Sequence, residues 1–213
     1  MTPKWTYRRK KTLNTSRRQR KDRGGGKPTI EEHFKKYYDK KNGFGVSHPH
    51  VSLKYYFKTY GEIKPESVRL FYPFFQKDDV FYDLGCGTGK VVLQVAYEKD
   101  IKSIGVELNK ERLEIARSVS DEMGMSDKVQ FIEGDISEMS YEGGTVFYVC
   151  STCFNDELMH LLWKKLSKVK SIRYIFSLRP FPSKIEKLKI TVPTSWSDRS
   201  ICYVYAVFPT MST

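Results

Sequence analysis

The sequence lacks any long apolar run. No stretch of its 213 residues reaches the about 18 consecutive apolar residues that a transmembrane helix needs, so we predict no membrane association. The N-terminus also lacks the apolar region of a secretory signal, which favours an intracellular protein.

Cysteines are few, and each lies in an apolar or glycine-rich segment: Cys86, Cys150, Cys153 and Cys202. This pattern is not that of a disulfide framework, and we expect reduced thiols. Cys150 and Cys153 have the spacing of half a zinc site, but no second Cys or His pair follows nearby. We therefore predict no metal site.

Acidic residues are nearly absent from the first 30 positions. Eleven lysines and arginines stand there against Asp22 alone, which places +10 of the net charge of +12 in this segment. With few aliphatic residues, it cannot offset its ordering entropy by burial, so we predict a disordered basic arm over residues 1–28. Residues 4–27 are expected to contact DNA or another nucleic acid through phosphates. The alternative is a solubilising or nuclear-import tail.

Residues 80–107 are the segment around which the rest of the chain is organised. An apolar run ends in Asp83 and opens into alternating glycines, Gly85, Gly87 and Gly89, after which apolar residues recur at helical spacing. A second apolar run ends in Glu107, where a nucleotide-binding α/β unit places the acid that holds ribose hydroxyls. The pattern predicts a strand, a glycine turn, a helix and a second strand.

The glycine spacing indicates which nucleotide the turn holds. A dinucleotide fold has G-x-G-x-x-G, whereas this turn has G-x-G-x-G preceded by Asp83. A carboxylate there suits a cation, such as an amino-acid ammonium beside a sulfonium, better than a phosphate. The stretch resembles motif I of the class I S-adenosylmethionine-dependent methyltransferases. The alternative is a tight turn with no ligand.

The remaining segments alternate between helix and strand. Thr29 and Glu32 form a capping-box signature before a helix over 30–40, and Asn155 caps a helix with a predicted buried face of Leu158, Leu161, Leu162 and Leu166. Further helices are predicted over residues 65–75 and 110–122, and further strands over 128–133, 144–149, 172–178, 185–191 and 200–208. We therefore predict an α/β, Rossmann-like class I methyltransferase fold, with a mostly parallel seven-stranded sheet and a reversed edge hairpin. The arm is followed by an N-terminal helix and lid segment, residues 29–62, and a catalytic domain, residues 63–213.

Six pieces in one order resemble the disruptor-of-telomeric-silencing family, the non-SET histone lysine methyltransferases. They are Tyr60-Gly61-Glu62, DLGCGTGKVVLQVA from Asp83, the GVE that ends at Glu107, Gly134-Asp135, Leu178-Arg179-Pro180-Phe181, and Ser195-Trp196 followed by Tyr203.

The resemblance implies a site for S-adenosylmethionine and for its product S-adenosylhomocysteine. The implied cofactor contacts are Tyr60, Glu62, Asp83, Gly85, Gly87, Gly89, Lys90, Glu107, Asp135 and Ile136. Tyr60, Trp196 and Tyr203 are implied to line a lysine channel, and Ser151 is expected near the transferred methyl group. This chain departs from the family at two places, since Cys150-Ser151 replaces an asparagine pair and Lys90 replaces a glutamine.

The resemblance implies methylation of a globular-face lysine of histone H-three in nucleosomes, hence a nuclear protein and chromatin regulator. Two other enzymes stay open on this fold, a lysine methyltransferase of non-histone proteins and an RNA methyltransferase. The third alternative is a non-catalytic binding module. An RNA base enzyme would usually have Asn/Asp-Pro-Pro-Tyr/Phe after the fourth strand, where this chain has Cys-Ser-Thr-Cys-Phe. The sequence gives no oligomeric state, and we assume a monomer.

Overall fold

The computed structural model describes residues 26–39, 41, 43, 46 and 61–207. Tyr60 and all of the predicted arm before residue 26 lie outside these residues. Within the described part, no helix is long and apolar enough to cross a membrane. All four cysteines lie in the described part and are present as thiols rather than as disulfides.

Seven strands form one sheet in the order β3-β2-β1-β4-β5-β7-β6. The strands are β1 (Val80–Leu84), β2 (Lys102–Glu107), β3 (Val129–Glu133), β4 (Val146–Val149), β5 (Tyr174–Ser177), β6 (Lys187–Val192) and β7 (Ser200–Ala206). The first five pair in parallel, and β7 runs antiparallel to both β5 and β6. The predicted fold is confirmed, with the reversed strand inserted between β5 and the edge strand.

Five α-helices lie in the described part of the chain: α1 (Ile30–Tyr38), α2 (Pro65–Val68), α3 (Lys90–Lys99), α4 (Lys110–Glu122) and α5 (Asp156–Leu166). The capping box of α1 is present, since the Thr29 side chain accepts from the Glu32 N–H and the Glu32 carboxylate accepts from the Thr29 N–H. The helix predicted over 65–75 is α only as far as Val68 and continues as a 3-10 helix, Arg69–Phe74, that contains Pro73. Proline has no N–H to donate and disfavours the α conformation in the residue before it, which accounts for the tighter winding.

One predicted core residue of α5 is wrong. Leu158, Leu162 and Leu166 are buried as expected, but Leu161 is 39% exposed, and Met159 is buried instead. The predicted apolar stripe is therefore wider than the face that the sheet covers.

Two apolar layers cover the faces of the sheet. Tyr82 and Leu84 point into the layer that α5 covers. Phe81 points into the opposite layer, which includes Ile63 and the 3-10 helix residue Phe71. Because successive side chains of a strand alternate, Asp83 points to the same side as Phe81. This alternation places the carboxylate among apolar side chains at the carboxyl end of β1.

Candidate functional site

Strand order reverses between β1 and β4, since β2 follows β1 on one side and β4 lies on the other. In open α/β sheets, ligands bind outside the carboxyl ends of the strands at such a switch point. Asp83 lies near the end of β1 and Glu107 ends β2. The sheet therefore brings both predicted acids to the edge where a ligand is expected.

The turn between β1 and α3 depends on its three glycines. Gly85, Gly87 and Gly89 have φ angles of 83°, 54° and 81°, a left-handed conformation that costs other residues energy. Gly89 has a second reason, because a Cβ there would lie 2.6 Å from the Phe131 ring. The G-x-G-x-G spacing is thus the spacing at which this backbone turns left-handed.

The Asp83 carboxylate has no hydrogen-bond partner for one of its oxygens. Asp83 is 2% exposed, and its Oδ1 atom has no partner among the described residues. Burial, followed by the nearby Glu107 carboxylate, raises the pKa of Asp83 well above its usual range. An unpaired buried carboxylate is costly, and a bound cation would offset that cost. This orphaned oxygen fits the ammonium group of an amino-acid ligand.

Glu107 stabilises the glycine turn. Its Oε2 atom accepts from the Gly87 N–H at 2.9 Å, and Oε1 accepts from the Asn109 N–H at 2.9 Å. Each carboxylate oxygen has a second lone pair, so both can still accept hydrogen bonds from a diol. The carboxylate is 8% exposed and is held by these two backbone groups in the position where ribose hydroxyls are expected.

A cleft opens over the glycine turn. It is lined by Gly61, Glu62, Ile63, Asp83, Gly85, Cys86, Gly87, Lys90, Val91, Tyr148 and Cys150. Five of these residues were predicted as cofactor contacts from the sequence: Glu62, Asp83, Gly85, Gly87 and Lys90. Within the cleft, the Lys90 ammonium forms an ion pair with Glu62 at 2.7 Å.

Asp135 and Ile136 lie at the carboxyl end of β3 and do not line this cleft. Asp135 Oδ1 accepts from the Ser137 N–H at 2.7 Å, which fixes its carboxylate at the start of the following turn. Ile136 is 3% exposed and packs in the core. Their contact with an adenine group stays a prediction.

Trp196 is brought to the cleft by a clamp between two distant segments. The Ser195 N–H donates to the Glu62 carbonyl oxygen at 2.8 Å, and the Glu62 N–H donates to Ser195 Oγ at 3.0 Å. The indole ring packs on Gly61, where a Cβ would lie 2.4 Å from its Cζ3 atom. Trp196 is 45% exposed and lies against Gly61, which lines the cleft; its part in a lysine channel stays a prediction.

Tyr203 and Ser151 lie near the carboxyl ends of β5 and β4. Tyr203 is opposite Ser177 in the β5/β7 pair and is half-buried against the α5 side of the core. Ser151 is fully buried, its Oγ lies 2.8 Å from Ser177 Oγ, and it accepts from the Arg179 N–H at 2.8 Å. In this arrangement Ser151 anchors the turn after β5. Whether either residue contacts a substrate stays a prediction, as does the role of Tyr60.

Tyr148 and Cys150 are cleft residues outside the predicted set of site residues, although Cys150 was noted as one of the two replacements of the family's asparagine pair. Tyr148 is 1% exposed, and its hydroxyl has no partner with hydrogen-bond geometry in the described chain. Burial raises the pKa of the neighbouring Cys150 thiol to about 12, so the thiol is protonated at neutral pH and a poor nucleophile. The signal that could have found them is the switch point itself, since both lie where β4 ends beside β1.

No cluster of three or more His, Cys, Asp or Glu side chains suited to a metal ion occurs in the described residues. Among the residues that line the cleft over the glycine turn, the charged groups are two carboxylates and one ammonium: Glu62, Asp83 and Lys90. Such a set can hold a zwitterionic ligand of the amino-acid type.

The model of the family "Histone methylation protein DOT1" matches residues 53–200. The match covers most of the chain and all of the cleft. The chain belongs to the DOT1 family.

Two curated relatives differ in how much of their length this DOT1 family chain spans. It is 32% identical over 146 residues to the Dictyostelium discoideum histone-lysine N-methyltransferase, H3 lysine-79 specific, an alignment over 58% of the chain and 8% of that protein. It is 29% identical over 117 residues to a protein-lysine N-methyltransferase of Saccharolobus islandicus, over 54% of the chain and 72% of that protein.

Solved structures share the fold. An RNA methyltransferase from Salinibacter ruber in complex with S-adenosyl-L-homocysteine has a TM-score of 0.59 at 20% identity, over 70% of the chain and 94% of its own. SMU.472, a putative methyltransferase complexed with the same compound, has a TM-score of 0.55 at 15% identity, over 71% of the chain and 54% of its own. At such identities the likeness concerns the fold of the DOT1 family chain alone.

Proposed function

We propose that this chain is an S-adenosylmethionine-dependent protein lysine N-methyltransferase that modifies a globular-face lysine of histone H-three in nucleosomes. The observation that carries the proposal is the buried Asp83 carboxylate, whose Oδ1 atom has no partner within the described residues, at the switch point of a DOT1 family chain. A buried carboxylate beside a glycine turn is expected in an enzyme whose cofactor carries an ammonium group, because a nearby opposite charge stabilises the ionised carboxylate.

The described residues fit this cofactor. Asp83 would hold the ammonium group, Lys90 the carboxylate and Glu107 the ribose hydroxyls, while Asp135 and Ile136 would contact the adenine. When bound, S-adenosylmethionine supplies a methyl group on a sulfonium, and S-adenosylhomocysteine is the product. Lys90 is already paired with Glu62 at 2.7 Å, which positions its ammonium at the mouth of the glycine turn.

The acceptor lysine must lose a proton before it can accept a methyl group, and its unperturbed pKa is about 10.4. Trp196, together with Tyr60 and Tyr203 in the proposed channel, would desolvate the lysine side chain and so lower its pKa. Burial disfavours the charged amine, so no strong general base is required. The remaining contribution of the protein is to hold the amine in line with the methyl group.

The experiment that tests this proposal uses labelled S-adenosylmethionine and the full chain. Recombinant nucleosomes, free core histones and RNA are offered separately, and the labelled product is mapped by mass spectrometry. We expect label on a histone H-three lysine in nucleosomes and none on RNA. Label on RNA alone, or tight cofactor binding without transfer to any acceptor, would overturn the proposal.

The proposed partner of the basic arm is nucleosomal DNA, contacted through residues 4–27. This proposal rests on the eleven cationic side chains before residue 30, and it places the protein in the nucleus, with a monomer as the assumed state. Deleting residues 1–28 should preserve cofactor affinity and lower activity on nucleosomes, and the loss should shrink as salt rises. Equal DNA affinity of the two proteins at low salt would leave the arm without this role.

A second candidate is lysine methylation of non-histone proteins. It is favoured by the Saccharolobus islandicus relative, whose name specifies protein lysine without a histone and of which this chain spans 72%. The same transfer experiment, extended to a cell extract, separates the two, because a histone enzyme labels nucleosomes far better than other extract proteins.

A further inference from the structure

Helix α5 has a second stripe of side chains beside the one that it buries. Leu162 and Leu166 pack in the core, whereas Leu161 is 39% exposed. Lys165, four positions after Leu161, lies on the same side of the helix, and Lys168 follows in the turn after the helix ends at Leu166. The exposed leucine therefore begins a stripe that continues as lysines.

This stripe forms one wall of a cleft of about 810 Å³, within the size range of ligand-binding clefts. We call it the lysine cleft and define it by Leu161, Lys164, Lys165, Lys168 and Lys170 on one wall and by the loop over residues 137–143 on the other. The loop precedes β4 and the lysines precede β5. The lysine cleft thus lies at the amino-terminal edge of these strands, opposite the cleft over the glycine turn.

Most of the lysine ammonium groups in the lysine cleft form no ion pair within the described chain. Lys164, Lys168 and Lys170 are exposed, and none has a carboxylate within ion-pair distance in the described segments. Lys165 donates from Nζ to the Met139 carbonyl oxygen at 2.7 Å, which ties the two walls together. The cleft is therefore braced, concave and cationic on its helix side.

We propose that the lysine cleft is a docking surface for an acidic segment of a partner protein that inserts an apolar side chain beside Leu161. Charge complementarity favours an acidic occupant, since four lysines belong to one wall. The basic arm of this chain is excluded as the occupant because like charges repel. This inference does not depend on methyl transfer.

The second wall favours a protein over a nucleic acid. Glu138 and Glu142 lie there, and both would repel a continuous phosphate backbone. A protein segment can place its carboxylates on the lysine side only, and its apolar side chain can cover Leu161. A protein segment can therefore bind this cleft through both ion pairs and apolar contacts, whereas a phosphate backbone would bind through ion pairs alone.

The test measures binding of a fluorescent peptide of glutamates and leucines to the full chain, beside a peptide in which serines replace the leucines. K164Q/K168Q/K170Q should weaken binding of the first peptide about tenfold or more, and Leu161→Asn about fivefold. The matched control is K77Q/K102Q/K184Q, which removes the same charge from exposed lysines elsewhere and should stay within about twofold of the parent. Melting temperatures confirm that the variants fold.

Three outcomes would overturn the proposal. One is equal weakening by the two triple variants, which would mean that only net charge matters. Another is unchanged binding of the leucine peptide to Leu161→Asn, together with a loss of peptide binding by K164Q/K168Q/K170Q that its loss of binding to a short DNA duplex matches. That result would make the cleft a phosphate-binding surface. A parent chain that does not distinguish the leucine from the serine peptide would also contradict the apolar contact.

Discussion

Gly61 has no side chain because the Trp196 ring occupies that space. A Cβ at position 61 would lie 2.4 Å from Cζ3 of the indole, too close for either group to stay in place. The contact joins the segment before α2 to the loop before β7, more than 130 residues later in the chain. It holds the indole ring against Gly61, which lines the cleft over the glycine turn.

Gly61→Ala should therefore displace Trp196 and lower methyl transfer by about tenfold or more. S-adenosylhomocysteine affinity should change by less than about threefold, because the Asp83 and Glu107 carboxylates do not move. Turnover and product affinity are measured on one preparation. Unchanged turnover would show that the position of Trp196 does not matter to the acceptor.

Asp83 should stabilise the bound protein and destabilise the free one. Asp83→Asn removes a buried carboxylate whose Oδ1 atom has no partner in the described part of the chain, so the ligand-free variant should melt about 2–4 °C higher at pH 8 while its S-adenosylhomocysteine affinity falls. Asp79→Asn is the matched control, because Asp79 is equally buried but paired with Arg173 at 2.6 Å. That variant should lose about 1–3 kcal/mol of stability. A lower melting temperature in Asp83→Asn would contradict the assignment.

The raised pKa of Asp83 gives this effect a pH dependence. An acid with a raised pKa in the folded state keeps its proton there after the unfolded chain has lost it, so its contribution to stability falls as pH rises above about 3.9. The melting difference between Asp83→Asn and the parent should therefore widen with rising pH. Binding of the ammonium group should favour the ionised carboxylate and release a proton.

Proton release is measured by calorimetry of S-adenosylhomocysteine binding in two buffers with different ionisation enthalpies. At a pH below the raised pKa of Asp83, the parent should release a fraction of a proton, and Asp83→Asn should release less. An identical proton count in the two proteins would remove Asp83 from the ammonium site.

The fold was predictable because its signals are local. The glycines of the turn, the Thr29 cap and the apolar runs each specify structure within a few residues, and the strands and helices follow them. The Pro73 region departed from an α-helix for an equally local reason. Leu161 was mispredicted because periodicity gives the direction of an apolar stripe but not the width that the sheet will cover.

The site was predictable only in part because several contacts join distant segments. Asp83 and Glu107 follow from the ends of two strands, and the parallel pairing of β1 with β2 brings them together. The Gly61–Trp196 packing needs the position of the β6/β7 connection, which no local pattern supplies. The residue spacing predicted that Glu107 would bind ribose hydroxyls. It did not predict the hydrogen bond that Glu107 accepts from the Gly87 N–H.

Helix α1 should contribute to cofactor affinity although it does not line the cleft. The Tyr38 hydroxyl donates to the Thr88 carbonyl oxygen in the glycine turn at 2.7 Å, and the Lys90 ammonium lies 4.9 Å from the centre of the Tyr38 ring. Tyr38→Phe keeps the ring and removes the hydrogen bond, so S-adenosylhomocysteine affinity should fall by about 0.5–1.5 kcal/mol. Tyr37→Phe is the control on the same helix, since among the described residues the Tyr37 hydroxyl accepts a hydrogen bond only from the Lys36 ammonium, at the surface. Equal affinities of the two variants would contradict a role for α1 in positioning the turn.

Tyr203 is the channel residue for which packing is the strongest competing explanation. It is half-buried against the α5 side of the core, and the Lys189 ammonium lies 5.8 Å from the centre of its ring. If Tyr203 lines the lysine channel, Tyr203→Ala should lower turnover at least tenfold, about 1.4 kcal/mol, with cofactor affinity within about twofold. A core role predicts instead about 3–5 kcal/mol of lost stability, with early melting and joint loss of binding and turnover.

Tyr205→Ala supplies the comparison for a core role on the same strand. Tyr205 is fully buried, and its hydroxyl accepts from the Phe181 N–H at 2.8 Å, so its removal should cost stability first and activity only as a consequence. Melting temperature, cofactor affinity and turnover are measured for both variants. If Tyr203→Ala lowers melting temperature, cofactor affinity and turnover in the proportion seen for Tyr205→Ala, its effect is packing. A selective loss of turnover assigns Tyr203 to the channel, because a contact with the substrate contributes neither to folding nor to cofactor binding.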